Sequence, residues 1–130
     1  MLDRRFRRVW DRERLPAIEA FDAGDDNQLD ELACHLLERF RHDGDIEAFA
    51  LLFEVAGERL QRIAGRLAAR LGVRVAPGDL VAALKRRIWV GEGLPLTGNF
   101  LAVARGLMEL QLRVALAGRP DRGRPHRRSA

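Results

Sequence analysis

A chain of 130 residues of which 47% are apolar can build one hydrophobic core and is too short for two ordinary domains. Its 23 basic residues, nearly all arginine, outnumber 19 acidic ones for a net charge of +4 and a pI near 10.7, which suits a polyanionic partner and equally suits solvated arginine-rich helix faces. Charges break every apolar stretch well short of the roughly 20 residues a bilayer span needs, and a single cysteine excludes an internal disulfide, so a soluble cytoplasmic protein with no membrane association is expected.

Residues Met1 to Trp10 carry Asp3 and arginines around Phe6 and Val9, without the apolar core of a secretion signal. Up to Phe21 two readings stay open: a packed helical extension interrupted near Pro16, or an arm on which Phe6 and Trp10 dock a partner. Gly24, between Asp22 and Asn27, marks a break. Leu29, Leu32, Ala33, Leu36, Leu37 and Phe40 then recur at helical spacing, which predicts a helix of about four turns that stops near Asp43 and Gly44. Cys34 in that helix is expected to pack as a small hydrophobe. Asp45 can cap the next helix, Ile46 to Leu71, whose wide apolar stripe runs through Phe49, Leu52, Phe53, Ala56, Leu60, Ile63, Ala64, Leu67 and Leu71.

Gly72 ends that helix, and Pro77 restarts the chain as a helix because proline is tolerated in a first turn. Leu80, Val81, Leu84, Ile88 and Trp89 make its apolar face, with Trp89 expected in the core. Gly91, Gly93, Pro95 and Gly98 mark an irregular connector, and Phe100 to Leu116 returns to the helical period through Val103, Ala104, Leu107, Leu110 and Val114. From Gly118 the chain has almost nothing to bury, so a disordered basic tail is expected. The fold class is therefore all-α, a compact helical bundle, divided as a 1–24 extension, a 25–117 domain and a 118–130 tail.

Little in the inventory supports catalysis. His35, His42 and His126 form no metal-ligand spacing, Thr97 and Ser129 are the only hydroxyl residues, and Gly91 to Gly93 lacks the lysine and hydroxyl of a phosphate loop. Asp43 with Asp45, and Glu54 with Glu58, read as caps and solvated faces rather than as acid and base pairs. No enzyme, no metal and no cofactor are expected.

Three segments in order carry a resemblance. The first is Gly44, Asp45, Ala48, Phe49 and Phe53, followed by Arg59 to Ala64. The second is Asp79, Leu80 and Val81, followed by Arg86, Arg87, Ile88 and Trp89. The third is Asn99 to Leu107, continuing to Leu112 and Arg113. Together, from Leu29 to Arg113, they resemble the region 2 domain of bacterial sigma factors of the extracytoplasmic-function class. The resemblance implies a helical bundle whose Asp79 to Trp89 helix faces the clamp helices of core RNA polymerase, and whose last helix faces the minus-ten promoter element. On that basis Asp79, Leu80, Lys85, Arg86 and Arg87 are the expected polymerase contacts. Asn99, Arg105 and Arg113, with Arg119 and Arg122 of the tail, are the expected DNA contacts.

The chain also departs from the pattern. Ala82 and Ala83 stand where the family has a glutamine and a glutamate, Asn99 where it often has a tryptophan, and Gly106 where it has an asparagine. No second, minus-thirty-five-binding domain is expected. These departures leave a second expectation beside the first, a protein-interaction module that keeps the bundle and binds a regulatory partner such as an anti-sigma factor. A third, of another class, is a bundle whose likeness is accidental and which serves as a toxin or antitoxin component or a structural subunit.

Overall fold

Each helix begins and ends where local chemistry requires it. In the computed structural model, which describes residues 2–13, 15–91 and 99–118, these are α1 (Arg4–Arg12), α2 (Asp26–Asp43), α3 (Ile46–Leu71), α4 (Pro77–Trp89) and α5 (Phe100–Ala117), with no strand among the described residues. Asp3, Asp25 and Asp45 accept hydrogen bonds from the unpaired first-turn amides of α1, α2 and α3. Gly44 and Gly72 close α2 and α3 at φ 67° and 69°, the left-handed conformation that glycine enters without a Cβ clash. Pro77 starts α4 as its first helical residue. The all-helical expectation and the boundaries of α2, α3 and α4 are borne out.

α3 is the central helix and packs against each of the other four. Its first turns bury Ala48, Phe49, Leu51, Leu52 and Phe53 while Ile46 and Glu47 stay exposed, and its later turns bury one stripe through Ala56, Leu60, Ile63, Ala64 and Leu67. Around it α2 buries Leu29, Leu32, Ala33, Leu36 and Leu37, while α4 buries Leu80, Leu84 and Ile88. Arg59 of α3 reaches the carbonyls of Ala23 and Gly24 at 3.3 Å and the carboxylate of Asp26, tying the segment before α2 to the central helix.

The open question at the N-terminus is decided in favour of a packed extension. Phe6, Val9 and Trp10 of α1 are buried in the same core as α2 to α5, and the Trp10 indole donates to the Pro16 carbonyl at 2.8 Å. Trp10 is 2% exposed and Phe6 8%, so neither is presented to a partner.

Two expectations need correction. Cys34 is only half-buried, because it sits beside the Ala33 position on α2 rather than on the stripe itself. In α5 the buried residues are Phe100, Leu101, Ala104, Met108 and Leu112, whereas Leu110 and Val114 of the expected stripe are 47% and 60% exposed. α5 carries apolar residues on more than half of its circumference, so periodicity alone cannot choose the inward face. The connector at 92–98 and the tail at 119–130 lie outside the described residues.

Candidate docking surface and basic helix face

On α4, Asp79, Ala82, Arg86 and Trp89 follow one another at spacings of three, four and three residues, which places them on a single face. Lys85 lies beside them, three residues after Ala82 and four before Trp89. Asp79, Lys85 and Arg86 are exposed there. Leu80 is 3% exposed on the opposite side and belongs to the core, so it supports this helix from within and offers no surface for a polymerase contact. Arg87 is half-buried at the edge of the face.

Trp89 differs most from its expected place. It is 48% exposed, since a helix turns by about 100° per residue and Ile88, at 1%, already fills the inward position. The indole nonetheless packs on two aromatic rings. Its ring lies 5.2 Å from Phe40 and 5.2 Å, edge-on, from Phe49, and Phe49 stacks in turn on Phe53 at 5.1 Å. The Lys85 ammonium sits 5.6 Å from the Phe53 ring centre.

Between α3 and α4 these side chains enclose an open apolar groove of about 430 Å³. Phe49, Ala50 and Ala82 form its floor, Ile46 and Trp89 its apolar walls, and Lys85 and Arg86 its charged rim. Ile46 is 59% exposed and Val90, just past Trp89, 68%. The floor is small and apolar because alanine stands at position 82; a longer polar side chain there would fill the groove. Neither Ile46 nor Ala50 was singled out from the sequence. Ile46 is the first residue of α3, where the apolar stripe had no need of it.

The expected DNA-contacting residues fall elsewhere, on α5. Asn99 is exposed at the residue before the helix and makes no capping hydrogen bond; Asp30 of α2 accepts from the Leu101 amide at 2.9 Å instead. Arg105 and Arg113 are exposed, and Arg113 binds the Glu109 carboxylate at 2.7 and 3.1 Å. That hydrogen bond, with the nearby charges of Arg113 and Arg70, holds the Glu109 carboxyl below its ordinary range despite some desolvation. Arg119 and Arg122 lie outside the described residues. The α4 residues Asp79, Lys85 and Arg86 are thus brought together with Trp89, while Arg105 and Arg113 form a separate group on α5.

Among the described residues no cluster of three or more metal-ligating side chains occurs, and no helix is long and apolar enough to cross a membrane. Comparison of the chain with protein-family models, with curated proteins and with solved structures found no match. The docking surface and the basic face of α5 therefore rest on their own geometry.

Proposed function

We propose that the chain is a non-catalytic, sigma-factor-like transcription protein of the cytoplasm that docks on core RNA polymerase through the outer face of α4. The observation that carries this reading is the half-exposed Trp89, packed on Phe40 and Phe49 beside an apolar groove with a basic rim. Exposed apolar patches rimmed by charge mark protein interfaces, and tryptophan is the kind of side chain that supplies most of an interface's binding energy. The resemblance to sigma region 2 turns this helix toward the polymerase clamp helices, and Lys85 and Arg86 favour an acidic partner surface. Their rim charges contribute mainly to encounter rate and specificity. On the same reading α5 meets minus-ten promoter DNA through Asn99, Arg105 and Arg113, joined by Arg119 and Arg122.

A second reading has its own observation. The groove floor at Ala82 is apolar where the family places a polar polymerase contact, and this favours a regulatory protein partner such as an anti-sigma factor in the same groove. Pull-down of the full chain with core RNA polymerase separates the two. Retention of wild type that Trp89→Ala and Arg86→Glu both abolish supports polymerase docking. Absence of wild-type retention removes the polymerase reading and leaves the groove to a different protein.

A further inference from the structure

The exposed face of α3 carries Arg62, Arg66 and Arg70 four residues apart, a row that steps along the helix by about 6 Å per residue pair. Arg66 and Arg70 line one wall of a cleft of about 340 Å³, and Arg105 of α5 lines the other; Ile63 and Leu67 form the floor. No carboxylate belongs to that lining. The nearest is Glu109, which sits 3.5 Å from Arg70 and is already engaged by Arg113 at 2.7 Å. Only Arg70 and Arg113 are placed against that carboxylate, and like charges four residues apart on a helix, such as Arg66 and Arg70, repel one another. The folded chain holds this concentration of cations where an incoming anion would relieve it.

We propose that Arg66 and Arg70 of α3, together with Arg105 of α5, bind the phosphodiester backbone of a nucleic acid strand. Guanidinium forks match phosphate oxygens in pairs and remain charged at any physiological pH. A row of cations along a helix axis fits a linear polyanion, whereas a free phosphate would be gripped by groups converging on one point. The two walls come from helices far apart in sequence, so α3 adds its own phosphate contacts to those of α5. This inference deepens the DNA-binding half of the reading above and is independent of polymerase docking.

The test measures fluorescence anisotropy of a labelled 20-mer DNA, single-stranded and duplex, over a range of salt concentrations, with the full chain. Wild type is compared with an Arg66→Ala, Arg70→Ala, Arg105→Ala triple variant and with Arg86→Glu on α4. The three arginines are exposed, and melting curves verify that the variant is folded. Loss of three phosphate contacts should weaken binding at least tenfold at low salt. It should also flatten the slope of log K against log salt by about 2–3 for duplex, since each contact contributes about 0.9. Arg86→Glu should change this slope by less than the triple variant does, and inorganic phosphate or polyglutamate at equal charge should compete poorly. A triple variant with wild-type affinity and slope overturns the inference alone, as does equal competition by polyglutamate, which would assign the cleft to an acidic protein. Failure of wild type to bind either oligonucleotide at low salt overturns this inference and the DNA-binding half of the proposed function together.

Discussion

Glu13 is the one buried charged residue among those described, and its surroundings explain how it is tolerated. Burial by itself would raise its pKa. Hydrogen bonds from His35 Nε2 and Arg39 Nε, both at 2.9 Å, and from Arg12 Nε at 3.0 Å outweigh that and hold the carboxyl below its ordinary range. Because a carboxylate only accepts, the histidine nitrogen facing it must carry the proton. Arg12 also reaches Asp45 and Glu47, so this cluster joins the end of α1 to α2 and to the cap of α3. A depressed carboxyl pKa contributes stability above the unfolded value, near 4.5, and loses it as pH falls through the lower folded value. Glu13→Gln should therefore cost about 1–3 kcal/mol at pH 7, a range lowered from that of a fully buried pair because its donors are partly exposed. The difference in melting temperature between variant and wild type should shrink below pH 4.5; a constant difference from pH 7 to pH 3 would show that the charge is not the source. Asp30 acts over a longer distance, since it supplies the α5 cap that Asn99 does not. Asp30→Ala should lower stability by about 1 kcal/mol in thermal melts, and no change would mean that water caps α5 equally well.

Among the elements, α5 gives the sharpest contrast between two readings of one sequence. Phe100, Leu101, Ala104, Met108 and Leu112 are buried, whereas the expected stripe of Val103, Leu107, Leu110 and Val114 is part-buried at Val103 and Leu107, with Leu107 packed against the core, and exposed at Leu110 and Val114. Leu112→Ala should then cost about 2–5 kcal/mol, as for other buried leucines, whereas Val114→Ala should stay within about 0.5 kcal/mol. Reversal of that order in denaturant titrations would restore the stripe expected from periodicity. The ends of α2 and α3 are simpler, because nothing lies within 4 Å of a Cβ built at Gly44 or Gly72 and only their positive φ matters. Gly72→Ala should cost about 1–2 kcal/mol through backbone conformation alone.

At the scale of the whole molecule, α1 packs into the same core as α2 to α5. Trp10 packs edge-on against Phe21 at 5.2 Å and is buried beside Phe6 and Val9. Trp10→Ala should cost about 3–5 kcal/mol and lower a single cooperative transition; two separate transitions would mean that the extension folds by itself. The bundle leaves two candidate binding faces on α3, the apolar groove against α4 and the arginine cleft against α5. Substitutions in one should leave the other unchanged, as expected for sites that share no side chain.

Features under local chemical control are readable from the residues alone. Asp45 and Gly44, Gly72 and Pro77 act within a few residues of themselves, so the limits of α2, α3 and α4 were legible before any packing was known. The polar row Asp79, Lys85 and Arg86 was legible for the same reason, since helical spacing fixes which residues share a face. Which apolar residues go inside depends on how the helices meet. Trp89 lies outside because Ile88 takes the inward place, Leu110 and Val114 are exposed because Met108 and Leu112 fill the inward positions of α5, and Trp10 is buried because its helix packs on α3. The meeting of Arg66 and Arg70 with Arg105 belongs to the same class. A cleft between two helices depends on how they cross, and that is set by the complementarity of their buried surfaces, which no periodicity within either helix encodes.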